Sequence, residues 1–111
     1  MVKTSVFCTV LFEATHNWPG CTIQEVEYLK YPHRHVFYIQ AFAHVTHGDR
    51  DIEFIKLKHD ITKYLETTYP DRALGARSCE MLAAELAQEF NLHKVVVSED
   101  NENGCVLEIS R

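Results

Sequence analysis

No stretch of this chain approaches the roughly 20 consecutive apolar residues that a helix needs to cross a bilayer, so no membrane partner is expected. Positive charge is also in deficit. Lys and Arg number 11 against 16 Asp and Glu, a formal net charge of −5. Phosphate backbones bind basic faces, so the deficit argues against nucleic acid as a partner. The four cysteines (Cys8, Cys21, Cys79 and Cys105) form no Cys-x-x-Cys pair. That absence argues against a thiolate zinc site or a redox dithiol and leaves four free thiols, some buried as small hydrophobes. The first residues, Met1 to Phe7, lack the longer apolar stretch and cleavage site of an export signal, and polar Glu13 follows soon after. A cytoplasmic location is therefore expected. With no repeat, linker or low-complexity segment, residues 1–111 read as one domain.

The residue present in excess is histidine, with 7 among 111 and no tag-like run. Hydrophobic residues at 46% and charged residues at 24% are ordinary for a globular protein. The length is enough for a core, yet small enough that oligomerisation would help to bury it.

Residues 6–15 alternate as a strand does, with Val6, Cys8, Val10, Phe12 and Ala14 on one face and His16 continuing it. Trp18-Pro19-Gly20 breaks the strand, and the connection from Cys21 to Tyr31 has no clear period. A second strand is expected over 33–47, with His33, His35, Phe37, Ile39 and Ala41 on one face. Apolar residues on both of its faces suggest that both meet something, such as a barrel completed by other subunits. Asp51 is the expected N-cap of a helix reaching Tyr64 or Leu65, with Phe54, Ile55, Ile61, Tyr64 and Leu65 as its apolar stripe. Ser78 caps a second helix, in which Leu82, Leu86 and Phe90 recur at helical spacing. A hairpin closes the chain, from Lys94 to Glu99 and from Cys105 to Ile109, with Asn103-Gly104 as its expected tight turn. The order implies an α+β fold, antiparallel strands with helices on one face.

Chemistry concentrates at the mouth of the second strand, in Tyr31-Pro32-His33-Arg34-His35-Val36-Phe37-Tyr38. Residues two apart share a strand face, so His33 and His35 form either a pair of metal ligands or two surface histidines. If the first two strands pair antiparallel, the end of one meets the start of the other and His16 joins them. Three histidines with one open position make the donor set of a catalytic zinc, and imidazole without a thiolate cluster favours zinc. Glu99 shares its strand face with Val95 and Val97, so its carboxylate points inward and needs a partner. That partner is an internal cation or a ligand with adjacent N–H donors, such as a guanine or pterin edge; the alternative is a solvated glutamate near the hairpin tip.

These residues resemble a family. Phe12-Glu13-Ala14-Thr15-His16 is similar to the Phe-x-Ala-x-His opening of the 6-pyruvoyltetrahydropterin and 6-carboxytetrahydropterin synthases, and His33-Arg34-His35 to their His-Gly-His signature. Arg50 to Lys58 resembles their Asp-Phe-x-x-Leu-Lys segment, Ser78-Cys79-Glu80 their Thr-Ser-Glu helix start, and Ser98-Glu99 through Gly104-Cys105 their closing Glu-Thr segment. The resemblance implies a tunnelling fold: a four-stranded antiparallel sheet with two helices on one face, assembled as a trimer or hexamer into an oligomeric barrel with sites between subunits. It implies Zn2+ held by His16, His33 and His35, with Glu99 anchoring a pterin-type substrate. The implied activity is that of a lyase, a 6-carboxytetrahydropterin synthase acting on 7,8-dihydroneopterin triphosphate in queuosine and 7-deazaguanine biosynthesis. The alternative is a zinc-containing pterin- or purine-binding protein with a different reaction or none.

The chain also departs from that pattern. Leu29 stands four residues before His33, where the family carries its catalytic cysteine, and Cys21 is the nearby thiol. The Leu-Asp-His motif expected between the helices has no counterpart in residues 67–77. Arg34 replaces the glycine of the signature, a cation between two ligands in sequence. Cys21, His47 and His59 are the candidate substitutes for the base, and a solvated helix face is the plainer reading of His59.

Overall fold

The computed structural model describes residues 2–110. The strands β1 (Ser5–His16), β2 (His33–His44), β3 (Lys94–Glu99) and β4 (Asn103–Glu108) form one antiparallel sheet in the order β1-β2-β3-β4. Two α-helices, α1 (Phe54–Thr68) and α2 (Cys79–Phe90), lie on one face, α1 over β1 and α2 over β3 and β4. The architecture is thus α+β. Among the described residues, no helix is long and apolar enough to cross a membrane.

Period-two alternation builds the core. Val10, Phe12, Phe37, Ile39, Val95 and Val97 all point to the helix side and are almost wholly buried. Leu57, Ile61 and Leu65 of α1 and Leu82 and Leu86 of α2 close over them. Each such side chain stabilises the fold by about 1.5–3 kcal/mol relative to exposure. Among the described residues, neither α-helix lies on the opposite sheet face. Phe7 and Leu11 of β1 and Val106 of β4 are more than half exposed there, and Phe7 stacks on Phe42 with ring centroids 5.4 Å apart.

Several boundaries differ from the sequence expectations. The N-cap of α1 is Glu53, which accepts hydrogen bonds from the N–H groups of Ile55 and Lys56. Asp51 instead accepts from the N–H and hydroxyl of Thr46, and this clasp ends β2 at His44 rather than carrying it to residue 47. The buried stripe of α1 is Leu57, Ile61 and Leu65, whereas Phe54 and Ile55 are about half exposed. They belong to the first turn. The helix also runs to Thr68, beyond Leu65. The aperiodic connection contains a 3-10 helix, Gln24–Lys30. The hairpin turns at Asp100 to Glu102 and not at Asn103-Gly104, because Asp100 (φ 56°) and Asn101 (φ 59°) take the left-handed conformation there. Asp and Asn tolerate it better than most residues.

Gly104 has a different reason for being glycine. It pairs with Ser98, and a Cβ at this position would lie 2.1 Å from the Val97 carbonyl oxygen and 2.5 Å from Ser98 Cα. Both obstacles are backbone, so the strands themselves would have to part. Gly104→Ala is expected to cost about 2 kcal/mol or more. Thermal unfolding followed by circular dichroism should show a midpoint lower by roughly 8 °C or more; an unchanged midpoint would contradict the close approach.

Candidate metal centre and adjoining cavity

The β1–β2 register places the histidines. His16 pairs directly with His33, and Ala14 pairs with His35, so all three imidazoles project from the helix side of the sheet at one end. Their ring centroids are 4.5 Å (His16–His33), 5.0 Å (His33–His35) and 5.4 Å (His16–His35) apart. Glu99 pairs with Phe37, which puts its side chain on the same face, diagonal to His35. One donor atom from each of His16, His33, His35 and Glu99 lies within 4.8 Å of the others, so these four residues could hold a metal ion. Arg34, between the two ligands in sequence, points to the opposite face and pairs with Glu13. Strand parity removes its charge from the centre.

Each imidazole is oriented through its Nδ1 atom. His16 Nδ1 donates to the carbonyl of Arg77 at 2.9 Å, His33 Nδ1 to the carbonyl of Tyr31 at 2.9 Å, and His35 Nδ1 to Oδ2 of Asp100 at 2.7 Å. A ring that donates from Nδ1 presents a lone pair at Nε2. Nε2 of His16 and of His35 are buried and make no hydrogen bond. They nonetheless face Glu99, at 2.9 Å from Oε2 and 3.5 Å from Oε1 respectively. Lone pairs so placed against a carboxylate repel it unless a proton or a metal ion lies between them. The donor set therefore fits a metal ion, and the outer contacts match those that orient histidine ligands elsewhere.

Local chemistry explains each of these contacts. Pro32 disfavours a helical Tyr31, which is extended (φ −94°, ψ 148°) and turns its carbonyl toward His33. Asp100 holds both His35 and the N–H of Val36; the Val36 N–H first, then the His35 contact, keep its carboxyl below the usual value. The Arg77 carbonyl is positioned by the chain between the helices, which docks on the end of β1. Thr15 N–H donates to the Arg72 carbonyl, Leu74 N–H to the Thr15 carbonyl and Asn17 N–H to the Gly75 carbonyl. Arg77 itself donates from Nε to Glu85 Oε1 at 3.2 Å, and the Tyr64 and Tyr69 hydroxyls donate to the same carboxylate at 2.6 and 2.7 Å. Burial works to raise the Glu85 pKa, but the two hydroxyls and Arg77 outweigh it and hold the carboxyl below its usual value. Burial, then Glu85, push the Tyr64 hydroxyl up to about 12, and the same causes raise Tyr69 further.

A cavity of about 470 Å3 opens beside the centre, a size suited to a small molecule. His16, His33 and Glu99 face it, with Trp18, Leu29, Arg77 and Cys79 among its other walls. The Cys79 thiol lies 4.0 Å from Glu99 Oε2 and donates toward it; burial, then the Glu99 charge, push it up to about 12. Leu29 thus reaches the cavity wall. Cys21 does not line it: its buried thiol donates to the carbonyls of Ile23 and Val26 within the connection. His59 is exposed on α1, and His47 lies beyond the far end of β2, 3.7 Å from Asp51. Among the candidates read from sequence, the three histidines and Glu99 come together; Cys21, His47 and His59 stand apart. The Tyr31 and Arg77 carbonyls carry no side-chain signal, whereas Asp100, next to Glu99 and opposite the start of β2, could have been found from the hairpin pattern.

No protein-family model matches this chain, and no curated protein matches it.

Asp100 is the one outer contact made by a side chain. Asp100→Asn keeps a residue tolerant of the left-handed turn while removing the charge on His35. Metal affinity, measured by chelator competition, is expected to fall about 10–100-fold with the far-ultraviolet spectrum unchanged; undiminished affinity would show that Asp100 does not orient the ligand.

Proposed function

We propose that this chain is a zinc-dependent tunnelling-fold protein of the pterin synthase type, binding a pterin such as 7,8-dihydroneopterin triphosphate. The observation that carries this reading is the convergence of three Nδ1-anchored histidines and one carboxylate at the mouth of a cavity of about 470 Å3. His16, His33 and His35 are the residues that would hold the zinc. When bound, the metal supplies Lewis acidity toward the side-chain hydroxyls of the substrate. Glu99 offers two oxygens to adjacent N–H donors of a pterin ring, and Trp18 and Leu29 supply apolar wall for the ring face. Cytoplasmic residence accords with the free thiols of Cys8, Cys21, Cys79 and Cys105.

Assembly into a trimeric or hexameric barrel belongs to the same proposal. Two features support it. Phe7, Leu11 and Val106 are exposed on the helix-free sheet face, and β1 and β4 are edge strands whose pairing groups a neighbouring subunit would satisfy. A single species of three or six chains is expected in sedimentation; a monomer would refute the barrel.

The first reading of the reaction is a lyase of the 6-carboxytetrahydropterin synthase type. A specific observation favours the second, binding without that turnover. Leu29 occupies the cavity wall where the resembled family would place its thiol, and the remaining thiol there, Cys79, is held protonated by burial. A general base must reach the reacting atom in its deprotonated form, and neither Cys21 nor His59 faces the cavity.

One zinc per chain is expected in metal analysis, lost in His33→Ala. Metal-free protein with an intact fold would refute both readings. Metal-loaded protein incubated with 7,8-dihydroneopterin triphosphate then separates them. Product formation that survives Cys21→Ala supports the lyase through other groups, whereas tight binding with no product supports the binding protein.

A further inference from the structure

Glu99 stands on the boundary between the metal centre and the cavity. Its Oε2 atom lies 2.9 Å from His16 Nε2 and its Oε1 atom 3.5 Å from His35 Nε2. Both ring nitrogens are buried and carry no hydrogen bond, while each ring donates from Nδ1. A cation held between these lone pairs would therefore meet a carboxylate oxygen along with three imidazoles. That is a complete set of four ligands, and a four-coordinate zinc with four protein ligands has no open position. The same carboxylate faces the cavity. Gripping two adjacent N–H donors of a ring edge engages both of its oxygens and so competes with the metal for the same carboxylate.

We propose that Glu99 closes the metal's coordination shell in the ligand-free protein and leaves it when a ring edge enters the cavity, so that a coordination position opens only with ligand present. This rests on the metal and pterin reading above and adds to it a gate. The metal–carboxylate bond breaks as two N–H to oxygen hydrogen bonds form, with no change of oxidation state and no proton lost. The Cys79 thiol, 4.0 Å from Oε2, donates to the carboxylate and steadies the charge that leaves the metal.

Cobalt(II)-loaded protein tests the gate through its visible absorption, with azide as the probe of an open position and neopterin as the ring probe. Wild type alone is expected to ignore azide, Glu99→Ala to shift its spectrum with azide, and neopterin to make wild type responsive. Zinc affinity is expected to fall about tenfold or more in Glu99→Ala. Glu99→Gln, which keeps the side-chain volume, should respond to azide in the same way and covers the case in which the truncated variant does not fold. Ligand-free wild type that answers azide as strongly as the variants, or variants that keep full zinc affinity, would overturn the closed shell. Quenching of Trp18, the single tryptophan and a cavity-wall residue, reports neopterin binding independently. Bound neopterin that leaves wild type insensitive to azide overturns the exchange alone; neopterin that does not bind overturns the ligand reading with it. Failure of wild type to take up cobalt at all removes the metal reading beneath both.

Discussion

Everything at the candidate centre follows from where three protons are placed. His16, His33 and His35 each give the Nδ1 hydrogen to an oxygen acceptor, so lone pairs rather than N–H groups converge beside Glu99. Buried lone pairs facing a carboxylate are unfavourable without positive charge. Among the described residues, no Lys or Arg is paired with Glu99, and Arg34, which stands between His33 and His35 in sequence, is carried to the far face by strand alternation. The arrangement makes physical sense as a cation site, and its stability is bound to the three acceptors that hold the rings.

Those acceptors come from three separate parts of the chain, which ties the fold to the site. The Tyr31 carbonyl belongs to the end of the 3-10 connection, Asp100 to the hairpin turn and the Arg77 carbonyl to the segment between the helices. That last segment is itself sewn to β1 by backbone hydrogen bonds at Thr15 and Asn17 and steadied from α2 by Glu85. A displacement of α2 would thus reach His16 through Glu85 and Arg77. Without such links an imidazole at the frayed end of a strand would hold its orientation poorly. The close passage of Gly104 against Ser98 serves the same end, because it keeps β4 tight on the strand that carries Glu99.

How much of this was legible depended on whether a side chain or a backbone atom carried the information. Period-two alternation located the inner face of both long strands, and antiparallel pairing of β1 with β2 brought His16 to His33 as expected. The carboxylate of Glu99 was legible as inward-facing because two valines share its strand face. The helix cap misled, since Asp51 and Glu53 are both good acceptors and only the competing Thr46 clasp decides between them. The hairpin turn misled similarly: Asn103-Gly104 is good turn chemistry, but Asp100 and Asn101 bend the chain first, and the glycine is needed for a close approach instead. Two of the ring acceptors are carbonyls, which every residue possesses, so nothing in the side-chain pattern could mark them.

The cavity's recognition groups and its proton-transfer groups have separate fates. A carboxylate, a tryptophan and an arginine line it alongside two of the histidines, and together they suit an aromatic heterocycle with a polar edge. The groups able to move a proton are scarcer. Burial and the Glu99 charge make Cys79 a donor at neutral pH, and Leu29 has nothing to titrate. A base for this cavity would therefore have to be Glu99 itself, Glu80 at the wall, or a residue brought by a neighbouring subunit. With a metal bound as proposed, Glu99 could not serve as base while it closes the centre between the histidines, since its lone pairs would then be directed at the cation. On the function proposed above, recognition, metal closure and proton transfer would all fall to one carboxylate, and a single side chain cannot perform all three at the same moment.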